Sequence, residues 1–187
     1  MIHLIDSNVY IHAFRDSAFG ETLRRFHQKH LPQLVLSAVV VHELLVGVAN
    51  TTKERSVRRG LVEPFSARQR LHVPARQTWE MAATVDRRLR KRMNLESKLE
   101  TRSFANDMLI AASARELGAI ILTENTADFS IIASVLDIRF MQAHRFLLKW
   151  WHSKQRTIRD KHLFKHERAS EQNISASATS SAFIETV

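Results

Sequence analysis

Apolar residues fall along the chain in two rhythms. Short apolar runs at 2–6 (IHLID), 33–37 (QLVLS), 119–123 (AIILT) and 138–142 (IRFMQ) read as strands, the third of a buried type. Elsewhere apolar positions recur at three- and four-residue intervals, which predicts helices. One covers 17–30, with Ser17 as candidate N-cap; another covers 38–49, capped by Ser37. A third covers 78–93: Ala82, Val85, Leu89 and Met93 form its buried stripe, while Arg87, Arg88, Arg90, Lys91 and Arg92 face outward. A fourth covers 103–117 with Gly118 placed to end it, and a short fifth follows at 126–136. The run 53–72 is basic and helical in part, with Pro64 and Pro74 as punctuation. Strands alternating with helices predict an α/β fold with a largely parallel sheet.

From His144 the pattern changes. Residues 144–170 read as a basic helix, and 170–187 as a Ser/Ala-rich, disordered end. The expected division is one domain over 1–143 and an extension over 144–187. With 187 residues and 44% hydrophobic content the chain suffices for one domain with a tail. The longest apolar run, about 16 residues at 34–49, carries His42 and Glu43 inside it, too short and too polar for a membrane span. Disulfides and thiolate metal sites are excluded by the absence of cysteine. The chain opens on a strand with no targeting peptide ahead of it, so a cytoplasmic location is expected. The net charge of +9 is concentrated: 53–102 holds 14 Lys/Arg against 6 Asp/Glu, and 144–168 holds 8 against 2, whereas 103–143 is net acidic. A polyanion is the natural partner for such stretches, although an arginine run also suits the solvated face of a helix.

The chemistry lies in acids on apolar faces. Asp6 ends the first strand, where open α/β sheets bind ligands, although Asp-Ser-Asn is also an ordinary cap. Glu43 has Val39, Val40, Val46 and Gly47 as its helical neighbours, so it is not on a charged face; a buried donor or an arginine would also satisfy it. Asp107 has Ile110, Ala111 and Ala114 on its stripe, although an acid early in a helix also suits the macrodipole. Thr123, Glu124, Asn125 and Asp128 gather at the carboxyl end of the buried strand. Two unit charges about 4 Å apart repel by roughly 4 kcal/mol at an effective dielectric near 20. Converging acids must therefore bind a cation or hold protons. Ligands of oxygen alone suit Mg²⁺ or Mn²⁺ rather than zinc, and such an ion between carboxylates and a phosphate serves phosphoester chemistry.

The pieces "LIDSNVYI", "LSAVVVHELLVGV", "NDMLIAASARELGAIILTEN" and "DFSII", in this order over roughly 1–142, resemble the PIN domain, and more narrowly the VapC-type ribonuclease toxins of toxin–antitoxin pairs. The resemblance implies a three-layer α/β/α sandwich with a mainly parallel sheet. It implies that Asp6, Glu43 and Asp107 bind Mg²⁺, with Asn8 orienting the first acid and Thr123 auxiliary. Asn125 stands where relatives often carry a fourth acid, with Asp128 or Glu124 as substitutes. The expected catalytic set is Asp6, Glu43, Asp107 and Asn125, with arginines 87–92 on the RNA. The resemblance further implies a tRNA or rRNA substrate, an antitoxin partner, homodimerisation and translation arrest. A non-catalytic RNA-binding module is the alternative. A phosphatase of the haloacid-dehalogenase type would want Asp where Asn8 stands, and a flap-endonuclease would need more acids.

Overall fold

The computed structural model describes residues 1–92 and 101–153. Met1–Leu147 form one compact unit, and a second begins at Leu148, whose described residues 148–153 are helical. Met93 of the predicted stripe and the segment 154–187 lie outside the described residues.

The compact unit opens with β1 (His3–Ile5), α1 (Ser7–Arg15) and α2 (Ser17–His30). Next come β2 (Leu34–Ser37), α3 (Ala38–Val46) and a helical stretch made of α4 (Thr51–Val57), a π-helical segment (Arg58–Val62) and α5 (Glu63–Ser66). β3 (Leu71–His72), α6 (Arg76–Arg92), α7 (Arg102–Leu117), β4 (Ile120–Thr123), α8 (Thr126–Ala133) and β5 (Arg139–Gln142) complete it, and a further helix opens at 143. Among the described residues the strands form one five-stranded sheet, β3-β2-β1-β4-β5, with every neighbouring pair parallel. Right-handed crossovers place the helices after β1 and β2 on one face and those after β3 and β4, which lead the other way, on the second face. The expected α/β/α sandwich is the observed architecture.

Burial follows position in the sheet. β1, β2 and β4 are buried throughout, as strands covered on both faces must be. At the edge, β5 is largely exposed, and the two-residue β3 is half-buried. The stripe Ala82, Val85 and Leu89 of α6 is buried as its spacing predicts. Ser37 caps α3, its Oγ accepting from Val39 N at 3.2 Å, and Gly118 ends α7 in the left-handed region at φ +60°.

Several local expectations are corrected. The N-cap of α2 is Asp16, not Ser17: its Oδ1 accepts from Ala18 N (2.9 Å) and Phe19 N (3.0 Å), and a carboxylate is the stronger acceptor. α1 lacked a clear sequence signal. It packs on α2 where Gly20 has no side chain; a Cβ there would stand 2.6 Å from the Ala13 carbonyl oxygen. β3 is too short to show a period. α3 stops at Val46 and α8 at Ala133, each three residues before the predicted end.

Candidate active site

The first strand order reversal of the sheet lies between β1 and β4. From β1 the chain builds outward through β2 to β3, then returns to the other side of β1 to place β4. A crevice at such a switch point, beyond the carboxyl ends of the strands, is where α/β sheets bind ligands. Asp6 follows β1 directly and Thr123 ends β4, so both belong to this crevice.

Asp6 is 1% exposed and hydrogen-bonded at both carboxylate oxygens. Its Oδ1 accepts from Ser7 N at 2.7 Å, which makes it the N-cap of α1. Its Oδ2 accepts from Asn8 Nδ2 and from Thr123 Oγ1, both at 2.7 Å. Thr123 Oγ1 accepts in turn from Asn8 Nδ2 (3.1 Å) and Asn125 N (2.9 Å), and Asn8 Oδ1 accepts from Glu124 N at 3.1 Å. Asn8 thus ties the exit of β1 to the exit of β4.

Asp107, 5% exposed, stands in the second turn of α7. Its Oδ2 accepts from Asn125 Nδ2 at 3.2 Å, and the same amide donates to Asp128 Oδ2 at 2.7 Å. Glu43, half-buried on α3, accepts at Oε1 from Asn106 Nδ2 at 2.9 Å. Its Oε2 is buried and has no hydrogen-bond partner. Each of the three acids therefore leans on an asparagine amide: Asp6 on Asn8, Glu43 on Asn106, Asp107 on Asn125.

Electrostatics couple the acids across the crevice. Burial raises the Asp107 carboxyl to about 8, and the charges of Asp6, Glu43 and Asp128 push the same way against the Asn125 hydrogen bond. Burial raises Asp6 to about 6; the Thr123 hydrogen bond opposes this, the Glu43 charge adds to it, and the bonds from Ser7 and Asn8 oppose it. Among the described residues no three His, Asp or Glu side chains stand close enough to enclose an ion as they lie. The donor set still fits a hard divalent cation: all donors are oxygens, their charges oppose one another, and the buried Glu43 Oε2 is unused.

The structure brings Asp6, Asn8, Glu43, Asp107, Thr123, Asn125 and Asp128 together. Glu124 is turned elsewhere; its Oε1 accepts from His144 N at 2.7 Å, at the start of the helix that opens at 143. Arginines 87–92 are not at the crevice. Arg88 Nη1 donates to the Val135 carbonyl (3.1 Å) and Arg92 Nη1 to the Ser134 carbonyl (2.8 Å), just past the end of α8, whereas Asn125 precedes its start. Arg90 pairs with Asp86 at 3.1 Å. The sequence reading missed Asn106. Its neighbour Asp107 marks the place, but only the packing of α3 on α7 reveals that the amide serves Glu43.

An open parallel sheet with buried acids at its switch point defines an α/β sandwich with a polar, anion-rich crevice. The family profile of the PIN domain matches residues 3–134, and the chain belongs to the PIN-domain family. No curated protein matches significantly in sequence. Among solved structures, FitAcB from Neisseria gonorrhoeae is 21% identical with a TM-score of 0.52, covering 76% of this chain and 98% of its own. DNA-bound VapBC from Salmonella typhimurium is 20% identical with a TM-score of 0.56, covering 75% and 97%. VapBC-1 from nontypeable Haemophilus influenzae is 22% identical with a TM-score of 0.51, covering 77% and 99%. These likenesses concern the fold.

Proposed function

We propose that this chain is a Mg²⁺-dependent endoribonuclease of the VapC type, with Mn²⁺ as an alternative ion. In this reading it is the toxin of a toxin–antitoxin pair, a cytoplasmic homodimer that arrests translation by cutting tRNA or rRNA and is neutralised by a small antitoxin. The observation that carries the reading is the meeting of Asp6, Glu43 and Asp107, from three separate elements, at the switch point of a PIN fold. The occurrence of similar folds in VapBC assemblies supports the antitoxin partner. No helix among the described residues is long and apolar enough to cross a membrane. The extension 144–187 is assigned to contacts with RNA, antitoxin or a second copy.

Asp6, Glu43 and Asp107 would hold the ion. When bound it polarises the phosphodiester and lowers the pKa of the attacking water. Asn8 and Thr123 fix Asp6 Oδ2, leaving the carboxylate no freedom to rotate. Asn106 is a positioning residue: it holds Glu43 Oε1 so that Oε2 is the oxygen presented, either to the ion or as base to the attacking water. Asn125, in the turn after β4, aligns Asp107 with Asp128, the acid in the first turn of α8 that substitutes for the missing fourth one. Asp107, whose carboxyl burial raises to about 8, would give up its proton in taking a cation.

The test is incubation of the full chain with total RNA in Mg²⁺ or in EDTA, alongside Asp6→Ala. Fragments that need both the ion and Asp6 support the reading; their absence removes it. The spacing of the carboxylates favours a second reading, a non-catalytic RNA-binding PIN module. That module would bind RNA equally well after Asp107→Asn and turn over nothing.

A further inference from the structure

The C-terminal half of α6 gathers charge that the crevice does not use. Arg87, Arg88, Arg90, Lys91 and Arg92 are all exposed, and the nearest acid on the helix, Asp86, is taken by Arg90. Asp137, on the same side, is drawn to Arg115 at 3.7 Å. Among the described residues Arg87, Arg88, Lys91 and Arg92 have no carboxylate partner, so four cations crowd within six positions. Such crowding costs stability through self-repulsion.

Their arrangement is more ordered than a solvated helix face requires. Arg88 and Arg92, one helical turn apart, fold onto the Val135 and Ser134 carbonyls, where the negative end of the α8 dipole steadies them. A hollow of about 510 Å³ lies between α6 and this turn, lined by Arg88, Lys91, Arg92 and residues 133–137. A second hollow, about 570 Å³, is walled by Thr84, Arg87, Arg88, Arg90 and Lys91. Arg88 and Lys91 are common to both. The two hollows adjoin at Arg88 and Lys91, with Asp137 the one acid among the described residues of their lining, and the arginine forks match phosphate oxygens. Helix capping alone accounts for Arg88 and Arg92, but not for Arg87 and Lys91.

The length of α8 sets the distance to the carboxylates. Asn125 contacts Asp107 at one end and Ser134 receives Arg92 at the other, nine residues on, about 13 Å at 1.5 Å per residue. A stacked strand covers that distance in about four nucleotides at roughly 3.4 Å each.

We infer that this face of α6 is a second RNA-binding site, which grips the backbone of a single strand at least several nucleotides from the bond to be cut. The inference rests on the nuclease reading for its substrate and makes that substrate a long strand rather than a short oligonucleotide. Arg87 and Lys91 are the contacts to test, since both are exposed and hold up no other element.

Binding is measured on the full chain in EDTA, by fluorescence anisotropy of a labelled single-stranded RNA of about 20 nucleotides across a salt series. Arg87→Gln/Lys91→Gln is expected to weaken binding about tenfold and to flatten the log K against log salt slope by about 1.4, since each single-strand phosphate contact contributes about 0.7. Lys53→Gln/Arg59→Gln, on the α4 side, is the matched control and should stay within about twofold, by the rule that diffuse charge acts weakly beyond a Debye length. Equal loss in both pairs, or loss in neither, overturns the site. In Mg²⁺ the α6 pair should raise KM for the long strand with kcat unchanged, and leave cleavage of a trinucleotide as it was. A rise for both lengths overturns the inference too. If the wild type cuts nothing, the nuclease reading fails alone, because the EDTA measurement still decides the α6 site. Circular dichroism melts check that both pairs fold.

Discussion

The N-terminal end of α8 lies among four carboxylates, those of Asp6, Glu43, Asp107 and Asp128, with the first and third almost fully buried. Nine residues on, the other end receives two guanidinium groups that remain in solvent. Both ends hold like charges close together, and burial makes them differ. Water screens the arginines from one another, so they act additively on a polyanion. The acids lack that screening, so protons, amides or a cation must hold them together, and the same repulsion readies them for an ion.

The sharpest break in this contrast is Asp107→Asn. Cleavage should fall about a thousandfold or more, the scale on which a preorganised charge-stabilising group acts. In EDTA, however, the variant should melt a few degrees higher near neutral pH, because the amide does not need the proton that the buried carboxyl must take up on folding. A melting temperature lowered by several degrees would make Asp107 a structural group with a protein partner instead. Next in size is Asn106→Ala: Mn²⁺ affinity, read by titration calorimetry, should drop about 10- to 100-fold as Glu43 loses its orientation. Unchanged affinity would remove Asn106 from the site.

A smaller effect concerns pH. The folded chain keeps protons on Asp107 up to about 8 and on Asp6 up to about 6, whereas the unfolded chain releases both near the ordinary 3.8. The unfolded state binds fewer protons in that window, so these groups make metal-free stability fall as pH rises from about 4 to about 8. The melting temperature of Asp107→Asn minus that of wild type, both in EDTA, should therefore grow across the window and level off above it. A flat difference would mean that the carboxyl is not repelled. Smallest is Arg92→Met at the exposed end, which removes a cation from the C-terminus of α8. It should cost about 0.3–1 kcal/mol, a shift of one to three degrees.

The sequence disclosed those features whose signal is local. Carboxylates on apolar faces marked Asp6, Glu43 and Asp107, and the strand–helix alternation marked the parallel sheet. Partnerships across the fold were not visible. Asn106 meets Glu43 across 63 positions only because α3 packs on α7. Arg88 and Arg92 read as outward-facing, and they are, but their bonds to carbonyls 47 and 42 positions away follow from where α8 ends. Glu124 stood beside the right turn in sequence, and its side chain is taken up by His144 N instead.

The strand order has a consequence for biosynthesis. β1, made first, is flanked by β2 and by β4, and β4 is completed only at Thr123. Asp6 and Glu43 leave the ribosome long before Asp107 and Asn125 exist. Under the proposed activity, a chain interrupted before α7 is made has two of the three acids and nothing for them to meet, so the nascent chain cannot cut RNA until β4 closes the crevice.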